Sequence, residues 1–217
     1  MSVPTASLHP CPFFINGEWN ERKDLPTSPV HNPSTGEVIA DSPLADATTV
    51  NDAINAAKEA FPSWWETPSV ERARMMFKYR ALIEQEFDSI CQTISLEHGK
   101  TLAESRGELQ RGLECVEYAC GIPELLKGEY LENIARGIDC EVIRQPLGVC
   151  VGITPFNFPA MIAMWMFPLA ISSGNTFILK PSEKVPLTAV RLVQLLEEAG
   201  LPKGVLNLVH GGKDCVD

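Results

Sequence analysis

The sequence predicts an α/β fold with a parallel sheet, on three observations. Apolar, β-branched runs recur late in the chain, at Val149 to Ile153, Thr176 to Leu179 and Val205 to Val209. Helical periodicity fills the intervals between them. Polar residues and glycines stand at the strand ends, where an α/β sheet keeps its ligand. Strand, helix, strand, helix, strand in that order implies right-handed crossovers between parallel neighbours. Three strands make only part of such a sheet, so an incomplete Rossmann-like sheet is expected, preceded by helices.

Taken in order, residues 1–12 (MSVPTASLHPCP) carry prolines, no basic region and no apolar core. They read as a flexible tail rather than a secretory signal or an Arg-rich transit peptide. A β and helical part is expected over 13–127. Phe13 to Trp19 alternates weakly around Asn16-Gly17, a hairpin signal, and Asn32 to Gly36 forms a second turn leading into Glu37 to Ala40. A helix begins near Thr48, with Thr48 or Thr49 as its cap and Val50, Ala53, Ile54, Ala57 and Phe61 on one face. A longer one is expected from Ser69 to about Glu97, with Ala73, Met76, Phe77, Ile83, Phe87, Ile90 and Ile94 inward. Another runs from Thr101 to Ala119 and stops at Gly121-Ile122-Pro123. Over 128–145 the apolar residues lose helical rhythm and Gly137 breaks the pattern, which describes an exposed β excursion. Residues 146–217 hold the strand and helix alternation. Its second helix, Leu187 to Ala199, turns Ala189, Leu192, Val193 and Leu196 to one side and ends at Gly200, with Pro202 beyond.

Composition narrows the partners. At 217 residues and 45% apolar, the chain can hold one or two domains with a sizeable core. Eighteen basic against 28 acidic residues give a formal charge of −10 with no basic stripe, which argues against nucleic acid or an anionic membrane. The longest apolar run, Pro159 to Ile171, is too short to span a bilayer and contains Pro168. The seven cysteines are odd in number and scattered, without CxxC pairs or histidines at metal-ligand spacing. No metal site is expected, and a reduced, cytoplasmic setting is the simplest reading. Cys150 lies in a strand expected to be buried on both faces, so it is read as core packing.

Two polar clusters follow strands: Thr154-Pro155-Phe156-Asn157-Phe158-Pro159 and Lys180-Pro181-Ser182-Glu183, with Lys184 next. On a proline-stiffened turn the Asn157 amide could donate to an oxyanion. Taken alone, a cap on the helix starting at Phe158 or Pro159 is the more ordinary use of such an asparagine. Glu183 at a strand end could accept both hydroxyls of a ribose, the bland alternative being a solvated charged turn. No GxGxxG follows any strand, and Gly211-Gly212 is weak evidence by itself. The His98-Gly99-Lys100-Thr101 run imitates the end of a phosphate-binding loop, but Ile94 stands where its first glycine is required. Arg111 could grip a carboxylate bidentately, although pairing with Glu108 or Glu114 at helical spacing is the commoner use.

PFNFP followed at this distance by LKPSE resembles the aldehyde dehydrogenase superfamily. Phe156, where most relatives carry Trp, and the following PAMIAMWMFPLAI look most like the CoA-acylating methylmalonate-semialdehyde dehydrogenases. INGEW, HNPSTGEVI, ERARMMFKYRALIE, HGKTLAESRGEL and GLPKGVLNLVHG read as phrases of the same family, from about Phe14 to the chain's end. The resemblance implies the N-terminal part of that fold, with 128–145 as an element that pairs subunits in a homotetramer. It implies NAD bound without the usual fingerprint, coenzyme A as co-substrate and a small semialdehyde as substrate. Asn157 matches the oxyanion donor, and with PFNFP around it this reading overtakes the cap. Lys180 and Glu183 match positions at the adenosine ribose, and Thr154 and Phe156 lie along the nicotinamide ribose side. Lys184 stands where the subgroup usually has Arg, a departure at the nucleotide. Arg111 matches an arginine that holds the substrate carboxylate. The family's nucleophilic cysteine falls beyond residue 217, so these residues alone are expected to be inactive. Two alternatives remain open at this point: a hydrolytic aldehyde dehydrogenase, with water in place of CoA, and a non-catalytic nucleotide-binding or subunit-pairing module.

Overall fold

The computed structural model describes residues 8–216. The chain opens with a hairpin of β1 (Phe13–Ile15) and β2 (Glu18–Asn20), turning at Asn16 and Gly17 with φ of 52° and 74°. Positive φ at both positions is what an Asn-Gly hairpin supplies. A second hairpin, β3 (Thr27–His31) with β4 (Val38–Pro43), stands apart from the main sheet. Of the expected frayed tail, residues 1–7 lie outside the described residues. His9 donates its backbone N–H to Ile39 O at 2.8 Å and Cys11 is buried, so 8–12 are held against β4.

Four long helices follow. α1 (Ala47–Glu66) is capped by Asp46, whose Oδ1 accepts from Thr49 N at 2.8 Å; neither Thr48 nor Thr49 is the cap. A carboxylate satisfies the free first-turn N–H groups and meets the positive end of the helix dipole. The single helix expected from Ser69 to Glu97 is two, α2 (Ser69–Gln85) and α3 (Phe87–His98), divided at Glu86 with φ −97° and ψ 9°. Phe77, expected inward, is 57% exposed, because α2 buries the stripe of Ala73, Met76, Tyr79 and Ile83 instead. α4 (Leu102–Cys120) starts at Thr101 with a reciprocal Thr101–Glu104 capping box. After the short α5 (Ile122–Leu125), β5 (Glu129–Ala135) and β6 (Ile138–Val142) form a hairpin exposed along both strands.

The remainder is the expected alternation: β7 (Val149–Ile153), α6 (Met161–Ser172), β8 (Thr176–Lys180), α7 (Leu187–Glu198) and β9 (Leu206–Leu208). β7, β8 and β9 are parallel neighbours, and β1 adds antiparallel to β9 through Phe14 and Leu208. The sheet order is β2-β1-β9-β8-β7. β8 is buried along its whole length, and its side chains divide by the strand period of two. Phe177 and Leu179 enter the large core with α2, α4, α6 and α7, while Ile178 packs with Phe13, Ala53, Ala57 and Val209 beneath α1. Each fully buried side chain of this size contributes about 1.5–3 kcal/mol. β7 is not buried on both faces as expected. It is the last strand of the sheet, with Val151 60% and Ile153 51% exposed and Cys150 half-buried. No helix among the described residues is long and apolar enough to cross a membrane.

Candidate active site

Both polar clusters leave the same edge of the parallel sheet. Ile153 pairs with Lys180 at the ends of β7 and β8, and Thr154 N extends the ladder by donating to Lys180 O at 3.0 Å. Thr154 is buried, whereas Phe156 and Asn157 are exposed on the loop that precedes α6. Asn157 does not cap that helix, which begins at Met161 behind Ala160. Its first N–H groups go to Glu108 on α4, whose Oε1 accepts from Ala160 N at 2.8 Å and Met161 N at 3.2 Å.

Glu108 is spoken for twice. Its Oε2 lies 2.5 Å from Lys100 Nζ, in a pair whose side chains are 1% and 9% exposed. Lys100 also donates to Asn157 O at 3.0 Å and stands 4.7 Å from the centre of the Phe158 ring. The expected Arg111–Glu108 pairing is therefore absent. Arg111 makes no hydrogen bond or ion pair among the described residues, with Glu114 or any other group. Arg111 and Asn157 line a cavity of about 410 Å³, together with Lys100, Glu108, Phe158 and Met161.

A neighbouring cavity of about 480 Å³ is lined by Phe156, Glu183 and Lys184, with His31, Glu97 and His98. Lys184 Nζ lies 5.1 Å from the Phe156 ring centre, and Lys180 Nζ lies 3.6 Å from Glu183 Oε2. Thr154 and Lys180 are both buried and line neither cavity. The Glu183 side chain remains 30% exposed, so its carboxylate can accept hydroxyls from a ligand. Glu97 caps α7, accepting from Leu187 N at 2.7 Å, Thr188 N at 2.9 Å and the Thr188 hydroxyl. Burial pushes its carboxyl up to about 7, with the Glu108 charge adding to the shift and the hydrogen bonds opposing it.

The turn between α3 and α4 serves both cavities. Glu97 reaches the start of α7, Lys100 the Asn157 loop, and His98 lines both cavities. Burial and the nearby Lys100 charge hold the His98 imidazole below its usual range. Gly99 turns the backbone at φ 83°, and a Cβ there would meet Pro33 Cγ at 2.6 Å. Sequence reasoning missed Glu97, Lys100 and Glu108 as parts of the site. Lys100 fell in the rejected HGKT run, and nothing in a helical Glu marks it as buried.

No cysteine lines either cavity. Burial raises the thiol of Cys11 to about 12 and those of Cys91 and Cys120 to about 11, and it raises Cys115, Cys150 and Cys215 as well. Cys140 is exposed on β6. Among the described residues no three His, Cys, Asp or Glu side chains are grouped to hold a metal ion.

The model of the Aldehyde dehydrogenase family matches residues 19–217. A malonate-semialdehyde dehydrogenase of Pseudomonas aeruginosa is 56% identical over 204 residues, which are 94% of this chain and 41% of that one. The crystal structure of methylmalonate-semialdehyde dehydrogenase from Oceanimonas doudoroffii aligns with TM-score 0.92 and 52% identity, over 95% of this chain and 42% of that one. A further crystal structure, from Sinorhizobium meliloti 1021 and complexed with NAD, aligns with TM-score 0.93 and 44% identity over 98% of this chain and 43% of that one. The chain thus spans about two-fifths of the length of the relatives it matches.

Proposed function

The chain belongs to the aldehyde dehydrogenase family, its fold matching the N-terminal region of that fold, and we propose that it is the coenzyme-binding part of an NAD-dependent, CoA-acylating semialdehyde dehydrogenase. Malonate or methylmalonate semialdehyde is the substrate; oxidation to the enzyme-bound acyl group and loss of the substrate carboxylate as CO2 leave acetyl-CoA or propionyl-CoA as the product. The observation that carries this reading is that a guanidinium without a partner among the described residues, Arg111, shares a cavity with the exposed Asn157, beside a second cavity at the ends of β7 and β8. A substrate with an aldehyde at one end and a carboxylate at the other needs that pair of partners.

The residues divide the work. Glu183 accepts the ribose hydroxyls and would repel a 2′-phosphate, while Lys180 holds the Glu183 carboxylate at the strand end. Lys184 and Phe156 close the side of the nucleotide cavity, and Thr154 fixes the end of β7. Arg111 orients the substrate by its carboxylate. Asn157 donates to the aldehyde oxygen as a thiolate attacks the carbonyl, stabilising the alkoxide of the thiohemiacetal. NAD, when bound, supplies the hydride acceptor. The thiolate comes from outside the described residues, and coenzyme A takes the acyl group. The exposed β5–β6 hairpin, with Tyr130, Leu131, Ile134, Ile138 and Val142 open to solvent, pairs with another subunit of a homotetramer. A cytoplasmic setting suits seven free cysteines.

The test is NADH formation from malonate semialdehyde by the full-length protein carrying this sequence, with and without CoA, followed by product analysis. Acyl-CoA formed in step with NADH is the expected result. A free carboxylic acid produced at the same rate without CoA would instead identify a hydrolytic enzyme.

A further inference from the structure

An oxyanion donor is useful only if it is already in place when charge develops, because moving it during the reaction costs the energy it should supply. Asn157 lies in a loop outside any helix or strand, stiffened by Pro155 and Pro159. Among the described residues the one hydrogen bond to Asn157 is that from Lys100 Nζ to its carbonyl oxygen, at 3.0 Å. Lys100 is itself fixed by Glu108, which also holds the Ala160 and Met161 N–H groups at the far end of the same loop. The loop from Asn157 to Met161 is thus clamped at both ends by one buried ion pair.

A buried pair of this kind is a poor stabiliser, since desolvating two charges offsets much of their attraction. Its value lies in geometry. Both charges sit on the wall of the cavity that Asn157 lines, and each contacts the loop directly. We propose that Lys100 and Glu108 are positioning residues for Asn157, fixing the peptide that carries the oxyanion donor and so setting the rate of the chemical step. The inference rests on the reading of Asn157 as that donor.

The experiment is a double-mutant cycle in the full-length enzyme with malonate semialdehyde. Asn157→Ala is expected to lower kcat about 100- to 1,000-fold, the usual consequence of removing one such donor. Lys100→Met lowers kcat about 10- to 100-fold, with NAD affinity within about twofold of the parent. In the double variant kcat stays within about threefold of Asn157→Ala alone, because a missing donor has nothing left to position. Glu108→Gln keeps an acceptor for the Ala160 and Met161 N–H groups while discharging the pair. It should give the same kcat loss and the same non-additivity, and it serves as the probe if Lys100→Met does not fold. Losses that simply multiply would assign the pair a structural role and overturn the proposal, leaving Asn157 as donor intact. An Asn157→Ala enzyme as fast as the parent would overturn both.

Discussion

Arg111 on α4 and Asn157 on the loop after β7 line a single cavity of about 410 Å³, yet no hydrogen bond or ion pair joins them or ties the arginine to any other described residue. An arginine paired with its helical neighbours would have little left for a ligand. Here Glu108, one of the two acids at helical spacing that could neutralise it, is fully engaged by Lys100 and the start of α6, and Glu114 makes no ion pair with it.

Arg111→Leu should therefore lower kcat/KM for malonate semialdehyde by about 2–4 kcal/mol while sparing propanal, which has no carboxylate to hold. Parallel steady-state kinetics on the two aldehydes measure this. Equal losses on both would assign the arginine to the helix rather than to the substrate.

Coenzyme choice is the second expectation. With Glu183 at the end of β8 and partly open to solvent, NAD should bind more tightly than NADP. Glu183→Gln should narrow the preference by about tenfold, or 1.4 kcal/mol. Titration with both nucleotides decides it, and tighter NADP binding by the unmutated protein would remove Glu183 from the ribose.

The 217 residues by themselves should not turn over aldehyde. The proposed reaction needs a thiolate nucleophile, and burial raises six of the seven thiols while Cys140 sits on the remote β5–β6 hairpin. Acyl-CoA-coupled NADH formation by the purified 217-residue chain should equal background. Turnover above it would mean that one of these cysteines reaches the cavity, with Cys150 and Cys215 the first to replace.

Acid should weaken the fold through His210. This imidazole is fully buried, with Nε2 3.0 Å from Pro12 O and 3.6 Å from Cys11 Sγ. Burial pushes it from its usual 6.5 down to about 4, and the Lys180 charge adds to the shift. The unfolded chain takes up the proton first, so the contribution is complete above about pH 6.5 and is lost as pH falls toward 4, to a limit of about 3 kcal/mol. Buried Glu97, raised to about 7, titrates with the opposite sign in the same window but is common to both proteins. Urea unfolding from pH 7 to 4 should therefore show the parent losing up to about 3 kcal/mol more stability than His210→Gln. Parallel slopes would mean that another group titrates.

What could be read from the sequence was whatever local chemistry dictates. The strand and helix alternation after Pro146, the Asn16-Gly17 hairpin and the start of α4 at Thr101 each follow from residues close in the chain. What could not be read depends on distant partners. The break at Glu86 has no glycine or proline to announce it, the antiparallel meeting of Phe14 with Leu208 joins the two ends of the chain, and β7 is exposed because of its place in the sheet order. The site follows the same rule. Glycines, prolines and β-branched runs pointed to the loops, whereas Glu97 and Glu108 look like any solvated helical acid until the fold carries them to the starts of α7 and α6.

The α3–α4 turn bears on how sequence variants of this protein are to be interpreted. Gly99 lines neither cavity, yet any side chain there would oppose φ 83° and press on Pro33. Since Glu97 and Lys100 flank it and hold the α7 start and the Asn157 loop, a missense change at this one glycine would disturb the supports of both cavities together, and with them the proposed nucleotide and aldehyde sites. The change falls at a position that a search for cavity-lining residues would pass over.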